Sequence, residues 1–189
     1  MYRNLFFAFS TAALFAAPTA AQAPDPGRIA AQQQAMGPLA KFDGIWRGPA
    51  WTQLPGGRHE VTQTERIGPF LGGSVKVLEG RGYNADGTVG FNAFGIISFD
   101  PSTGRYTLHS YALGRSGDFP LEVTPTGYVW RVPAGPDAVI RYTATVDGNH
   151  WREIGERIVG TTQPMQMFEM NLTRVGDTQW PAKDPVPMR

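Results

Sequence analysis

Few side chains in this sequence are equipped for chemistry, and their spacing limits what each can do. Three histidines occur, His59, His109 and His150, and an imidazole, titrating near neutrality, is the natural proton shuttle. No two of them stand at a metal-ligand spacing such as His-x-His. His59 and His150 each open a strand-like run just after a turn, so both belong at the ends of their strands. A proton-transfer site built from this set would pair His109 with Glu65 or Glu79. Met165, Met167 and Met170 carry thioethers of the kind that suit Cu(I). On one extended strand, however, Met165 and Met167 share a face and Met170 takes the other, so core packing is the expectation. Cysteine is absent, which excludes thiol catalysis and thiolate metal ligation. There is no Gly-x-Ser-x-Gly elbow, phosphate loop or dinucleotide fingerprint. Asn171-Leu172-Thr173 matches a glycosylation acceptor, but its strand context makes it an accident. These residues imply no metal, no cofactor and no named catalytic set.

Alternation along the strand-like runs decides which side chains face inward. From His59 to Ile67 one face carries His59, Val61, Gln63, Glu65 and Ile67, while the other is wholly polar. The first face therefore points to the interior and takes Gln63 and Glu65 with it. From Val75 to Tyr83 the same reasoning groups Val75, Val77, Glu79, Arg81 and Tyr83, which predicts Glu79 and Arg81 inside. Ile140, Tyr142, Ala144 and Val146 form the apolar face of a later run, and Phe168, Met170 and Leu172 that of the last. Gln63, Glu65, Glu79, Arg81 and Tyr142 are thus the candidate ligand-binding residues, a mixed set suited to a small, largely apolar molecule with a polar head. The plainer reading is that Glu79 and Arg81 pair with one another near a rim.

The elements that position these residues are short and numerous. Ten runs rich in β-branched and aromatic residues follow one another from Gly44 to Arg174, each closed by a turn signal such as Asn84-Ala85-Asp86-Gly87 or Asp100-Pro101-Ser102-Thr103-Gly104. Loops of two to five residues force antiparallel neighbours and leave no room for a helical crossover. Closing such a meander removes two open edges, so the expected fold is all-β: an antiparallel up-and-down barrel of about ten strands. Before it, residues 24–38 read as a linker and one short helix ended by Gly37-Pro38. Leu39 to Asp43 adds a helical turn, and residues 39–175 form the barrel domain. The tail, 176–189, holds three prolines and reads as an unpaired extension, a candidate attachment segment if the protein is instead a structural module.

Arg3, the apolar run from Leu5 to Ala17 and Ala21-Gln22-Ala23 together read as a signal peptide spanning 1–23. The apolar run is too short to span a bilayer, so the expectation is export to the periplasm or beyond, without a stable membrane anchor. Charges of 17 basic and 16 acidic residues nearly cancel and form no long run of one sign. This argues against nucleic acid and anionic lipid as partners. The expected partner is a small hydrophobic or amphiphilic molecule.

Gly44-Ile45-Trp46-Arg47-Gly48, preceded by Leu39 and Phe42, resembles the opening of a lipocalin-type strand. Leu71-Gly72-Gly73, Gly95, the stretch Phe99 to Tyr106 and the stretch Phe168 to Arg174 are, in that order, similar to an exported bacterial lipocalin-like family of unknown function. The resemblance covers Leu39 to Arg174. It implies a calycin-type barrel in which Trp46 plugs the closed end and an Arg on the last strand, Arg174 here, covers it. It implies no reaction, although such barrels can host isomerase, cyclase or hydrolase chemistry. More distantly the chain resembles nitrobindin-type haem barrels, which need a histidine reaching the iron.

Overall fold

The computed structural model describes residues 23–183. The proposed leader, but for Ala23, and the last six residues of the tail lie outside the described residues. A helix, α1 (Pro26–Met36), comes first, capped by the Asp25 carboxylate, which accepts from Arg28 N. A 3-10 turn over Gly37–Phe42 continues it. Ten strands follow: β1 (Gly44–Leu54), β2 (Gly57–Phe70), β3 (Val75–Tyr83), β4 (Val89–Asp100), β5 (Arg105–Ala112), β6 (Arg115–Val123), β7 (Gly127–Pro133), β8 (Ala138–Asp147), β9 (His150–Val159) and β10 (Met165–Gly176). Each pairs antiparallel with its sequence neighbour, and β1 pairs with β10 to close the barrel. The expected fold class is the one found. One turn differs: the β5–β6 hairpin turns at Leu113-Gly114, both at positive φ, rather than over Gly114 to Gly117. That is the primed geometry a two-residue hairpin needs.

The two ends of the barrel differ. At one end α1 and the 3-10 turn form a plug, anchored by Gln33 Nε2 donating to Gly72 O (2.8 Å), Lys41 Nζ donating to Pro125 O (2.6 Å) and an Arg28–Asp100 ion pair. Leu39, Phe42, Trp46, Ile67, Ile97, Trp151 and Leu172 meet there, all essentially without exposure. Phe42 packs edge-on to Trp151 at 5.0 Å between ring centroids, and Trp46 does so at 5.8 Å. Trp46 Nε1 donates to Phe42 O at 2.8 Å, so burying the indole leaves no polar atom stranded. Arg174 lies over the Trp46 ring, its Cζ 5.3 Å from the centroid, and bonds Asp177. The second glycine of Gly-x-Trp-x-Gly has a steric reason. A Cβ on Gly48 would stand 2.0 Å from Asn171 O, so only glycine permits the β1–β10 seam.

The described part of the tail does not stand free. Trp180 packs on the outer wall of β2, where Arg66 stacks on its ring at 4.4 Å and its carbonyl oxygen would lie 2.1 Å from a Cβ on Gly68.

Candidate functional site

Strand pairing fixes which residues share the inner face, because directly paired residues point to the same side. Glu65 pairs with Trp46 on β1 and with Gly80 on β3, and Gln63 pairs with Gly48 and Gly82. Both side chains therefore enter the barrel, as alternation predicts. Gln63 is buried and its Nε2 donates to Glu65 Oε1 at 2.7 Å. Gly80 makes the space: a Cβ there would meet Glu65 Oε1 at 2.6 Å. Tyr142 also points inward, pairing with Trp130 and with Gly155. A Cβ on Gly155 would press the Tyr142 ring at 2.8 Å and Phe168 Cβ at 2.9 Å.

Glu79 and Arg81 do not join this set. With Gly80 inside beside Glu65, both neighbours fall on the outer wall, where Glu79 bonds Arg66 and Arg81. Burial alone would raise the Glu79 carboxyl, but hydrogen bonds from the two arginines outweigh it and hold it below the usual carboxylate range. The expectation that they line the interior is corrected, and the reason is local. The inner face of β3 begins with Lys76, buried because its ammonium reaches both oxygens of Asp43 at the plug (2.6 and 2.5 Å). The apolar Val77 faces outward, paired with Gly68, over which Trp180 lies. An inner lysine and a covered outer valine invert the pattern that parity reads.

The interior holds a second carboxyl that parity alone did not single out. Glu153 on β9 lies between Ala144 and Met170 and is buried. Trp130 Nε1 donates to its Oε1 at 3.1 Å. Burial pushes Glu153 up to about 7, although the hydrogen bond from Trp130 and the polar hydrogens of Tyr128 and Trp151 turned toward it oppose the rise. Glu65 goes further, to about 8, through burial first and then the nearby charges of Glu153 and Glu79, against the hydrogen bond from Gln63. Tyr142 rises to about 12, from burial and from Glu153. A signal for Glu153 existed in the sequence. With Tyr142 and Ala144 inward, the short turn at Gly148-Asn149 sets Val146 opposite Trp151 and Ala144 opposite Glu153.

Above this floor the lumen is two-sided. One wall is aromatic: Trp130 and Tyr142 stack at 4.4 Å and 15°, Phe119 packs on Trp130 at 5.7 Å, and Phe168 packs edge-on to Tyr142 at 5.8 Å. All four keep partial exposure although they face inward. The opposite wall, from β1 and β3 to β5, presents Ala50, Gly80, Gly82, Ala93, Gly95 and Ser110. Neighbouring side chains lie over these glycines: Glu65 over Gly80, Gln63 and Val61 over Gly82, and Leu108 over Gly95.

The histidines are elsewhere. His109 lies on the outer wall, bonded to Asp118. It is thus separated by the sheet from Glu65, while Glu79, on the same outer wall, is engaged by Arg66 and Arg81 and His109 by Asp118. His59 sits exposed at the open rim, and His150 is exposed at the plugged end. None brings an imidazole to mid-lumen, where carboxyls and indoles stand instead, so the donor set does not fit a haem held through histidine. Of the methionines, Met170 is buried inside while Met165 is exposed, so they share no ion. No group of three or more His, Cys, Asp or Glu side chains converges as a metal site among the described residues.

Fold and site together define a closed ten-stranded antiparallel barrel with a plugged floor and an aromatic, carboxyl-bearing lumen. No family model matches the chain, and no curated protein matches it. Among solved structures the barrel is similar to the crystal structure of Rv2717c from M. tuberculosis, with a TM-score of 0.54 and 15% identity over 76% of this chain and 96% of that one. A likeness at that identity establishes the fold alone.

Proposed function

We propose that this protein is an exported, lipocalin-like barrel that binds a small, largely apolar ligand in its lumen, entering from the end opposite the plug. The observation that carries the reading is the inward-facing aromatic set of Trp130, Tyr142, Phe119 and Phe168, each still partly exposed inside the barrel. Apolar rings left wet inside a barrel keep a driving force for burial, about 25 cal/mol per Å² removed from water. Gln63, Glu65 and Tyr142 are the polar groups such a ligand meets first in the lumen. Export is part of the proposal, carried by the leader read in residues 1–23.

The test is a thermal-shift screen against neutral and charged amphiphiles, with native mass spectrometry of protein purified gently from its own host. Stabilisation by several degrees, or a co-purified mass near a few hundred daltons, is expected. A chain that no amphiphile stabilises and that carries nothing from its host contradicts the reading.

A further inference from the structure

Seven glutamates occur in the chain, and the barrel wall sorts them sharply. Glu60, Glu79, Glu122, Glu156 and Glu169 lie on the outer wall, and each forms an ion pair with an arginine. The two that point inward, Glu65 and Glu153, have no cation among their partners, which are Gln63 and Trp130. Of the inward-facing cations, Lys76 is held by Asp43 at the plug, Arg174 pairs with Asp177 beside Trp46, and Arg115 stands exposed at the start of β6. Arg157 stands toward the open end, four residues along β9 from Glu153, roughly 13 Å at strand spacing. Glu153 is buried and Glu65 partly so, and inward carboxyls without a counter-ion are costly once either ionises.

A second, independent feature lies in the same place. Trp151, 1% exposed, turns its indole N–H toward Glu153, yet Nε1 makes no hydrogen bond within the chain. Buried donors are almost always satisfied, and one that is not calls for an acceptor from outside. The floor thus offers two acceptors lacking a cation and one donor lacking an acceptor, under an aromatic wall.

We propose that the lumen floor binds a protonated nitrogen: the ligand carries an ammonium head with a hydroxyl beside it, on an apolar, preferably aromatic, body. The nitrogen faces Glu65 and Glu153, the hydroxyl oxygen accepts from Trp151 Nε1, and the body lies against Trp130 and Tyr142. The stacked rings favour the cation further, since an aromatic face attracts positive charge. This assignment rests on the lumen being a ligand site and adds to that reading the chemistry of the head.

Three probes that differ in one group test it by calorimetric titration. A naphthyl-bearing 1,2-amino alcohol, the corresponding diol and the corresponding 2-hydroxy acid share body and hydroxyl, and present ammonium, neutral oxygen and carboxylate in turn. The wild type should bind the amino alcohol at least tenfold more tightly than either other probe. In Glu65→Gln/Glu153→Gln that preference should vanish, and an unchanged or raised melting temperature should show the variant folded. Equal binding of diol and amino alcohol by the wild type overturns the cation assignment and leaves the lumen reading standing. So does a preference that survives in the double variant. No binding of any probe overturns both.

Discussion

Trp46 illustrates how one residue commits the closed end. Its ring is fully buried against Trp151, its N–H is satisfied by Phe42 O, and Arg174 covers it. Trp46→Ala should therefore cost about 3–5 kcal/mol, as large-to-small changes in packed cores do, seen as a lower urea midpoint with an unchanged m-value. The inner carboxyls make a prediction of opposite character. Glu65 and Glu153 have folded pKa values of about 8 and about 7, above the 4.5 of an ordinary glutamate. Between the unfolded and folded values the native state holds protons that the unfolded chain has released, so their contribution is greatest below pH 4.5 and falls as pH rises. The decline should therefore run through the range from pH 5 to pH 9. Melting temperature followed from pH 5 to pH 9 should fall more steeply in the wild type than in Glu65→Gln/Glu153→Gln. Parallel curves would show that these carboxyls ionise freely. Parity alone could find Glu65, because a wholly polar opposite face marked its strand. It misplaced Glu79 and Arg81 because Lys76 enters the barrel beside them, and what neutralises Lys76 is Asp43, thirty-three residues earlier in the chain.

At the scale of elements the sequence was more legible than at the site. Turn residues and β-branched runs located all ten strands to within a few residues, since short antiparallel loops leave little freedom. What local pattern could not reveal was contact made from a distance. The tail reads as an extension because its prolines end the sheet, yet Trp180 docks on Arg66 and against Gly68. Trp180→Ala should lower stability by only about 0.5–1 kcal/mol, the worth of one exposed cation–π contact, measurable by denaturant titration. A sharper demand falls on the seam that closes the barrel. Gly48→Ala would drive a methyl into Asn171 O on β10, and strain of that kind should cost at least about 2 kcal/mol. Hydrogen exchange in the variant should accelerate along β1 and β10 before it does along β4 and β5.

Over the whole molecule, closure of the sheet and the partly exposed rings inside it are the two properties that matter. Pairing of β1 with β10 leaves no sheet edge, while helix and plug seal one mouth only. The aromatic rings of β6, β7, β8 and β10 stand inside the wall and remain partly exposed. The measurement that tests this most directly is binding of a neutral apolar fluorophore, N-phenyl-1-naphthylamine, to the wild type and to Ser110→Trp. Ser110 is inward, paired with Gly95 and Gly117, over which Leu108 and Phe119 lie, so an indole there competes for the space beside the Phe119 ring. The wild type should bind one equivalent with enhanced emission, and Ser110→Trp, equally stable, should lose most of that binding. Undiminished binding by Ser110→Trp would place the ligand site outside the barrel and contradict the account.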